Sequence, residues 1–480
     1  MSVEYSQLKQ KTYLKLRCHL LVRKRLLQMS KAKTVDLTSG PILKTLAELA
    51  LPIMVSSMLG TAYSIMDMAW IGLLGAKAVA GVGVGGMYVW LSQGLASLSR
   101  MGGQVNTAQA CGRKDYDQAR SYATSSLQLT ALSGILFAAV CVIFIQPLLG
   151  FFNLTDTETY IAAKSYTLIT CGLILFSYLN LTLTGLSTAQ GDSRTPLLAN
   201  FIGLAGNMIL DPLLILGVGP FPRLEVVGAA VATVSSQILV FVVMVLRIRH
   251  SRLEPNVLRH LNLLSISSKE YYKQVFRIGF PTAIQGSIYC FISMILTRMV
   301  SAYGAAAIAT QRVGGQIESV SWNTADGFAS ALNAFIAQNY GARKKDRIRK
   351  GYSLSFRVLA IWGLLVTAAF VFFPEPISRL FFHEKEALDT SINYLVIIGF
   401  SEVFMSIELM TVGALSGLGR TRLSSTISVI LTGSRIPLAM ILTHAGMGLN
   451  GVWWALTISS IVKGIVFTLT FHHVSKQLPE

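Results

Sequence analysis

Asp67 and Asp211 are the residues of this chain whose type and place demand a chemical reason. Each interrupts a long apolar run, and a charge held in hydrocarbon is costly enough to be kept only for a purpose. Followed outward along their runs, Asp67 lies about five residues and Asp211 about seven from the far end, so at a rise of about 1.5 Å per residue they share a depth. Thr233, about six residues into the next run, reaches the same level when that run is read inward. Asn207 lies one helical turn below Asp211 and Tyr63 one turn below Asp67, each on the same face. Pro212 withholds a helical N–H and frees the carbonyl of Met208, loosening the chain beside a carboxylate. Two acids, an amide and two hydroxyls at one level form a place for a proton or a small cation such as Na+. Close carboxylates in a poorly solvated site repel each other, which favours neutralisation. The plainer alternatives are a buried aspartate capping a kinked helix, and for Tyr63, Asn207 and Thr233 ordinary hydrogen bonding between helices.

The elements that position these groups follow from composition. Of 480 residues, 52% are hydrophobic and only 13% charged, against about 25% charged in an ordinary soluble domain. With a mean hydropathy of +0.55, most of this chain has lipid as its solvent. Runs long enough to cross a bilayer as helices fall near 45–72, 78–110, 122–146, 159–188, 196–218, 227–249, 273–300, 304–338, 353–373, 388–416, 424–446 and 449–473. The eleventh is the weakest, because Arg435 interrupts it. The basic residues then choose an orientation. Lys77, Arg223, Arg379 and Lys385 are the only ones in the loops on one side, against thirty on the other. The positive-inside rule assigns both termini to the cytoplasm and accounts for the net charge of +18 without nucleic acid. Residues 1–40 form a basic extension. Its leucines and cations between Lys11 and Leu27 are spaced either as a helix on the anionic inner leaflet or as a basic tail, and charge interrupts every candidate signal-peptide core. Five scattered cysteines give neither a disulfide framework nor a zinc site.

The chain repeats itself. Pro52/Pro281, Gly75/Gly304, Gln109/Gln338 and Gly112/Gly341 match at an offset of 229, Gly185/Gly413 and Gly191/Gly419 at 228, and Gly228/Gly451 at 223. Six spans per half is an even number, so both halves enter the membrane from the same side, and a cavity is expected between them. The fold class is therefore an all-α polytopic membrane protein with twelve transmembrane helices in two parallel six-helix lobes around a central cavity. Its divisions are a basic extension at 1–40, a first lobe at 41–249, a linker at 250–268 and a second lobe at 269–480. The repeat also acts as a control. Asp67 falls on Leu296, Tyr63 on Ile292, Thr233 on Leu456 and Asp211 on Ile436. Residues needed only for the scaffold should tend to recur in both halves, and these do not.

Other motifs carry less. Gly81, Gly83 and Gly86 spell G-x-G-x-x-G, but inside a charge-free span and without an acidic ribose partner about 20 residues on; close helix packing explains them better. Phosphate-loop, zinc-protease and nucleophile-elbow motifs are absent. Glu318 and Asp326 in the eighth span, with Glu402 and Glu408 in the tenth, either face the cavity and attract cations or pair with Arg298, Arg312 and Arg435, with pairing slightly favoured. A membrane enzyme would cluster His or Cys with acids in the spans, and a channel would show a repeated pore motif. Neither pattern is present.

The paired halves, LALPI at 49–53 before a mid-helix Asp67, GNMILDPLL at 206–214 and the basic GRKD and GARKKD turns resemble the multidrug and toxic compound extrusion (MATE) transporters from about residue 41 to 473. The resemblance implies a secondary antiporter exporting amphipathic organic cations. Asp67 matches the aspartate that couples export to proton or sodium entry, with Tyr63, Asn207, Asp211 and Thr233 in its network and Asn180 a looser member that lies deeper. Pro52 resembles the proline at which the first helix is proposed to bend, with Pro212 a second hinge. Branches with a second-lobe cation site carry an acid in the seventh span. Here 274–297 has none and offers Gln285, which points to the DinF-like branch. A flippase of a lipid-linked precursor is the alternative within the superfamily, kept by Arg100, Arg298, Arg312 and Arg435. The resemblance implies an inner-membrane monomer acting on small molecules, with no cofactor beyond H+ or Na+ and no resident metal.

Overall fold

The computed structural model describes residues 35–478 except 153, 155, 252–255, 260, 262, 264 and 383. The helix-or-tail reading of the basic extension rests on residues outside the described ones. Among the described residues all regular structure is helical. The first three spans are Ile42–Gly72, Ala76–Gly112 and Tyr116–Ile143; the fourth is Thr157–Gly172 with Leu175–Ala189, and the fifth and sixth are Arg194–Ile215 and Glu225–His250. In the second half they are Lys269–Ser301, Ala305–Gly341, Lys345–Phe372, Lys385–Gly399 with Glu402–Gly417, Thr421–Gly433 with Arg435–Leu442, and Gly448–Lys476. Twelve spans in two lobes are what the sequence predicts.

Among the described residues, seven helices are long and apolar enough alone to cross a membrane, and nine when each bent pair counts as one span. The other three are accounted for locally. One of the nine, Thr421–Lys476, holds two spans that pack on each other; they are joined at Thr443–Met447, where Gly446 and Gly448 take φ of 91° and 54°. The second and eighth spans, each 37 residues, are rich in Gly, Gln and Ser and so have low hydropathy.

The fourth and tenth spans are expected as continuous helices and are broken, by 46° and 50°. The breaks follow Gly172 and Gly399, one position apart at the repeat offset of 228. A Cβ on Gly399 would lie 3.0 Å from that of Phe370, whereas one on Gly172 would lie 3.6 Å from Val142 Cγ2. The eleventh span also breaks, at Ser434 beside Arg435.

Glycine sets how closely the lobes approach. A Cβ on Gly112 would sit 2.0 Å from the carbonyl oxygen of Gln338, and one on Gly341 2.0 Å from that of Gln109. Gln109 donates across to the carbonyl of Gly417 at 3.0 Å, and Gln338 to that of Ala189 at 2.7 Å. These are repeat-related bonds exchanged between lobes, with Ala108, Ala189 and Ala337 buried together beside them. The lobes are thus locked to each other at the end where the basic turns lie. Of the G-x-G-x-x-G glycines, Gly81 has the predicted packing role, against Ala162 and Ala163; Gly83 and Gly86 meet nothing.

Candidate functional site

The site begins on the first, fifth and sixth spans, which pack together because each presents small or apolar residues around a few polar ones. Tyr63 on the first span donates to Thr233 Oγ1 on the sixth at 2.9 Å. Asn207 donates from Nδ2 to Asp211 Oδ1 at 3.1 Å, the one-turn pairing expected from the spacing. Asp67 and Asp211 lie within electrostatic reach of each other. Asn207 and Asp211 have no exposure and Asp67 keeps 9%, so Asp67 is the least enclosed of the three. One turn outward from each acid comes an apolar residue, Ile71 after Asp67 and Ile215 after Asp211. They pack with Val226, Ala229 and Tyr166 into a cap.

Three oxygens of this cluster, Asp67 Oδ1, Asp211 Oδ2 and Asn207 Oδ1, are buried without a hydrogen-bond partner. Buried acceptors left bare are costly, and a proton on a carboxylate or a small cation between them removes that cost. The donor set is all oxygen, which suits Na+ as well as H+. Asn180 donates instead to the side chain and backbone of Gln237 at 2.9 and 2.8 Å. Gln237 is one turn below Thr233, so Asn180 sits beneath the cluster, as its depth predicts. Pro52 and Pro212 both lie inside helices. Two neighbours escape the sequence reading. Tyr166 on the fourth span lies within reach of Asp67 and Thr233, and Trp70 keeps a buried Nε1 without a partner one turn above Asp67. Aromatics are common in spans, so composition gives no sign of either.

In the second lobe the pairing expected for the acids occurs with a different partner. Glu408 Oε1 is 2.8 Å from Lys463 Nζ on the twelfth span, with both side chains buried. Arg435 turns to the hydroxyls of Ser459 and Ser460, at 3.2 and 3.0 Å, and lies within electrostatic reach of Glu318. Arg298 and Arg312 are exposed, with no ion pair among the described residues. Glu318 accepts from the hydroxyl of Tyr394 at 3.3 Å. Asp326 is half-buried within electrostatic reach of Arg100. Glu402 is fully buried with neither oxygen bonded. Lys463 had a signal, since it interrupts an apolar run just as the aspartates do. Among the described residues no three His, Cys, Asp or Glu gather as a metal site.

This architecture, two six-helix lobes with an oxygen-lined cluster buried in one, is that of a multi-pass membrane transporter. The family model MatE matches residues 52–213 and 281–441, and the chain belongs to that family. Among curated relatives, the "Probable multidrug resistance protein NorM" of Thermotoga maritima is 29% identical over 442 residues, covering 90% of this chain and 92% of its own. An FAD transporter of Shewanella oneidensis is 27% identical, covering 89% and 94%. Among solved structures, a MOP superfamily transporter of Pyrococcus furiosus, described as having a binding pocket of reverse polarity, superposes with a TM-score of 0.85 at 23% identity. It covers 93% of this chain and 99% of its own. An outward-facing MATE transporter gives 0.84 over 93% and 98%.

Proposed function

We propose that this protein is an antiporter of the DinF-like branch that exports amphipathic organic cations in exchange for H+ or Na+. The observation that carries this is the trio of unpartnered oxygens on Asp67, Asp211 and Asn207. A cation entering past Asp67 neutralises the cluster and changes the charge borne by the first and fifth spans, each of which contains a proline. The packing of the first lobe then favours one cleft opening over the other. By linkage, cation and cargo must favour different states and weaken each other's binding. The basic end, where the lobes are locked, faces the cytoplasm by the positive-inside rule, so the locked form is the one open outward. Cysteine labelling is expected to find 250–268 and 339–352 inside and 147–158 and 374–387 outside; labelling of 250–268 from outside intact cells would reverse the orientation.

The deciding experiment is purified protein in liposomes, with transport followed under an imposed proton or sodium gradient. Asp67→Asn mimics permanent neutralisation. It is expected to insert normally and to lose gradient-driven transport of a cationic dye. Wild-type-like transport by Asp67→Asn sinks the coupling mechanism. Offering FAD as a second cargo tests substrate polarity: dye without FAD supports the cationic reading, and FAD without dye overturns it.

A further inference from the structure

The base of the first span does not sit in the lobe that its upper half serves. Leu46, Leu49 and Ala50 are buried in a core made by second-lobe residues including Phe335, Leu359, Met410 and Phe467. The seventh span makes the reciprocal crossing: Val275, the repeat counterpart of Leu46, is buried with Ala110, Ala119 and Tyr122 of the first lobe. Each base is tied down by the chain just before it. Residues 35–40 run as a strap over the second lobe, with Leu37 wholly buried in the same core. Arg347 donates to the carbonyls of Leu37 at 3.2 Å, Gly40 at 2.7 Å and Ser39, and its guanidinium lies over the Phe335 ring. Asn339 donates to the Leu37 carbonyl at 2.9 Å and Lys344 to that of Thr38 at 2.8 Å. On the other side, among the described residues, the strap has one backbone bond to the first lobe, from the Val35 amide to the Gly191 carbonyl at 3.2 Å.

The two crossings are not equivalent. Ahead of the seventh span the strap is held by Gln128, which donates to the carbonyls of Leu263 and Ser265 and is neutral. In the repeat, Arg347, Lys344 and Asn339 correspond to Gln118, Asp115 and Ala110, so those three positions of the first lobe carry no cation. Hydrogen bonds from charged donors are about twice as strong as neutral ones.

We propose that residues 35–40 are a latch that keeps the base of the first span on the second lobe throughout the cycle. When the lobes part at the basic end, the Val35–Gly191 bond breaks and the Arg347 anchor holds. The span that carries Asp67 is then fixed at its foot to one lobe and joined at Tyr63 to the other, so separation of the lobes must deform it between those points. This rests on the proposed alternating opening of the two ends.

The test uses spin-label pairs in the full chain, with native cysteines replaced, under and without a gradient. Labels at Asp117 and Lys350, exposed on opposite lobes, report opening of the basic end. Labels at Ser39 with Lys350, and at Ser39 with Asp117, report which lobe the strap follows. The expected result is two distances for Asp117–Lys350, two for Ser39–Asp117 and one for Ser39–Lys350. Arg347→Ala should raise the detached fraction in the Ser39–Lys350 pair about tenfold, the scale of losing a charge-assisted hydrogen bond, and Arg347→Lys by less. Leu37→Ser, which removes the strap's buried side chain from the second-lobe core, should act in the same direction and serves if Arg347→Ala does not fold. Two distances for Ser39–Lys350 in the wild type, or no change in either variant, overturns the latch while leaving the transport reading intact. A single Asp117–Lys350 distance under every condition overturns both.

Discussion

Tyr63 and Asp67 of the first span correspond through the repeat to Ile292 and Leu296 of the seventh, and Asp211 and Thr233 correspond to Ile436 and Leu456. The first set forms a buried polar cluster with bare oxygens. In the second set Ile292 and Leu296 are buried in an apolar core, with Ile436 and Leu456 packed against it. The inter-lobe lock shows the opposite behaviour, with Gln109 and Gln338 making the same bond in each direction. The glutamine bonds that hold the two lobes together recur in both. Features proposed to sense an ion are built once, into helices whose twins show that the fold does not need them.

The comparison breaks most severely if polarity can be copied across. Leu296→Asp places a carboxylate at the depth of Asp67 but among Ile292, Val300 and Ala439, with no amide or hydroxyl partner brought along. An unpaired charge there is expected to cost more than about 3 kcal/mol, read as lost insertion or a large fall in detergent unfolding temperature. Wild-type-like stability in Leu296→Asp would mean that this level of the second lobe is wet, and that the asymmetry is one of sequence alone.

Next in size is removal of one partner from the second lobe's ion pair. Glu408→Gln leaves Lys463 buried without its carboxylate, and breaking such a pair destabilises by about 3–5 kcal/mol. The double variant Glu408→Gln with Lys463→Met should recover most of that loss. Asp211→Asn in the first lobe removes repulsion, so it should leave stability unchanged or raised while impairing coupling. Glu402→Gln is expected to alter apparent affinity or substrate range while ion-driven export survives. Abolished coupling in folded Glu402→Gln would move the ion site to the second lobe and reverse the comparison.

What could be read from sequence and what could not divide along physical lines. Charge inside an apolar run is a local signal, and it places Asp67 and Asp211 at one depth before any coordinates. Asn207 and Tyr63 follow from helical period alone. Lys463 carries the same signal, but only the packing of the tenth and twelfth spans shows that it faces Glu408. The bends after Gly172 and Gly399 lie in runs without proline, so hydropathy passes straight through them. Lys44 and Glu48 mark the exposed side of the first span's base, but which lobe its apolar side meets depends on the packing of neighbours far along the chain. The period gives the buried side but not the lobe that covers it.

The smallest expected difference lies at the loop after the third span in each half, where Asp156 corresponds to Glu384. Asp156 accepts from the amide and hydroxyl of Thr159 at 2.9 and 2.8 Å, capping the fourth span, and Lys77 lies 3.1 Å away. Glu384 begins the tenth span without a side-chain cap, and the position matching Lys77 is Ala306. The Thr159 amide, then its hydroxyl and Lys77, hold the Asp156 carboxyl below the usual aspartate range. A group whose folded pKa is lowered stabilises above its unfolded value, about 3.9 for aspartate, and that contribution disappears as pH falls through the lowered value. Hydrogen exchange in the first turn of the fourth span, corrected for its intrinsic pH dependence, should therefore rise on acidification from pH 5 to about 3. The matching turn after Glu384 should not respond. Asp156→Ala should abolish the pH response in the fourth span while leaving gradient-driven transport unchanged, because this turn lies outside the ion cluster. An equal acid response in both turns would show that the cap does not distinguish the lobes.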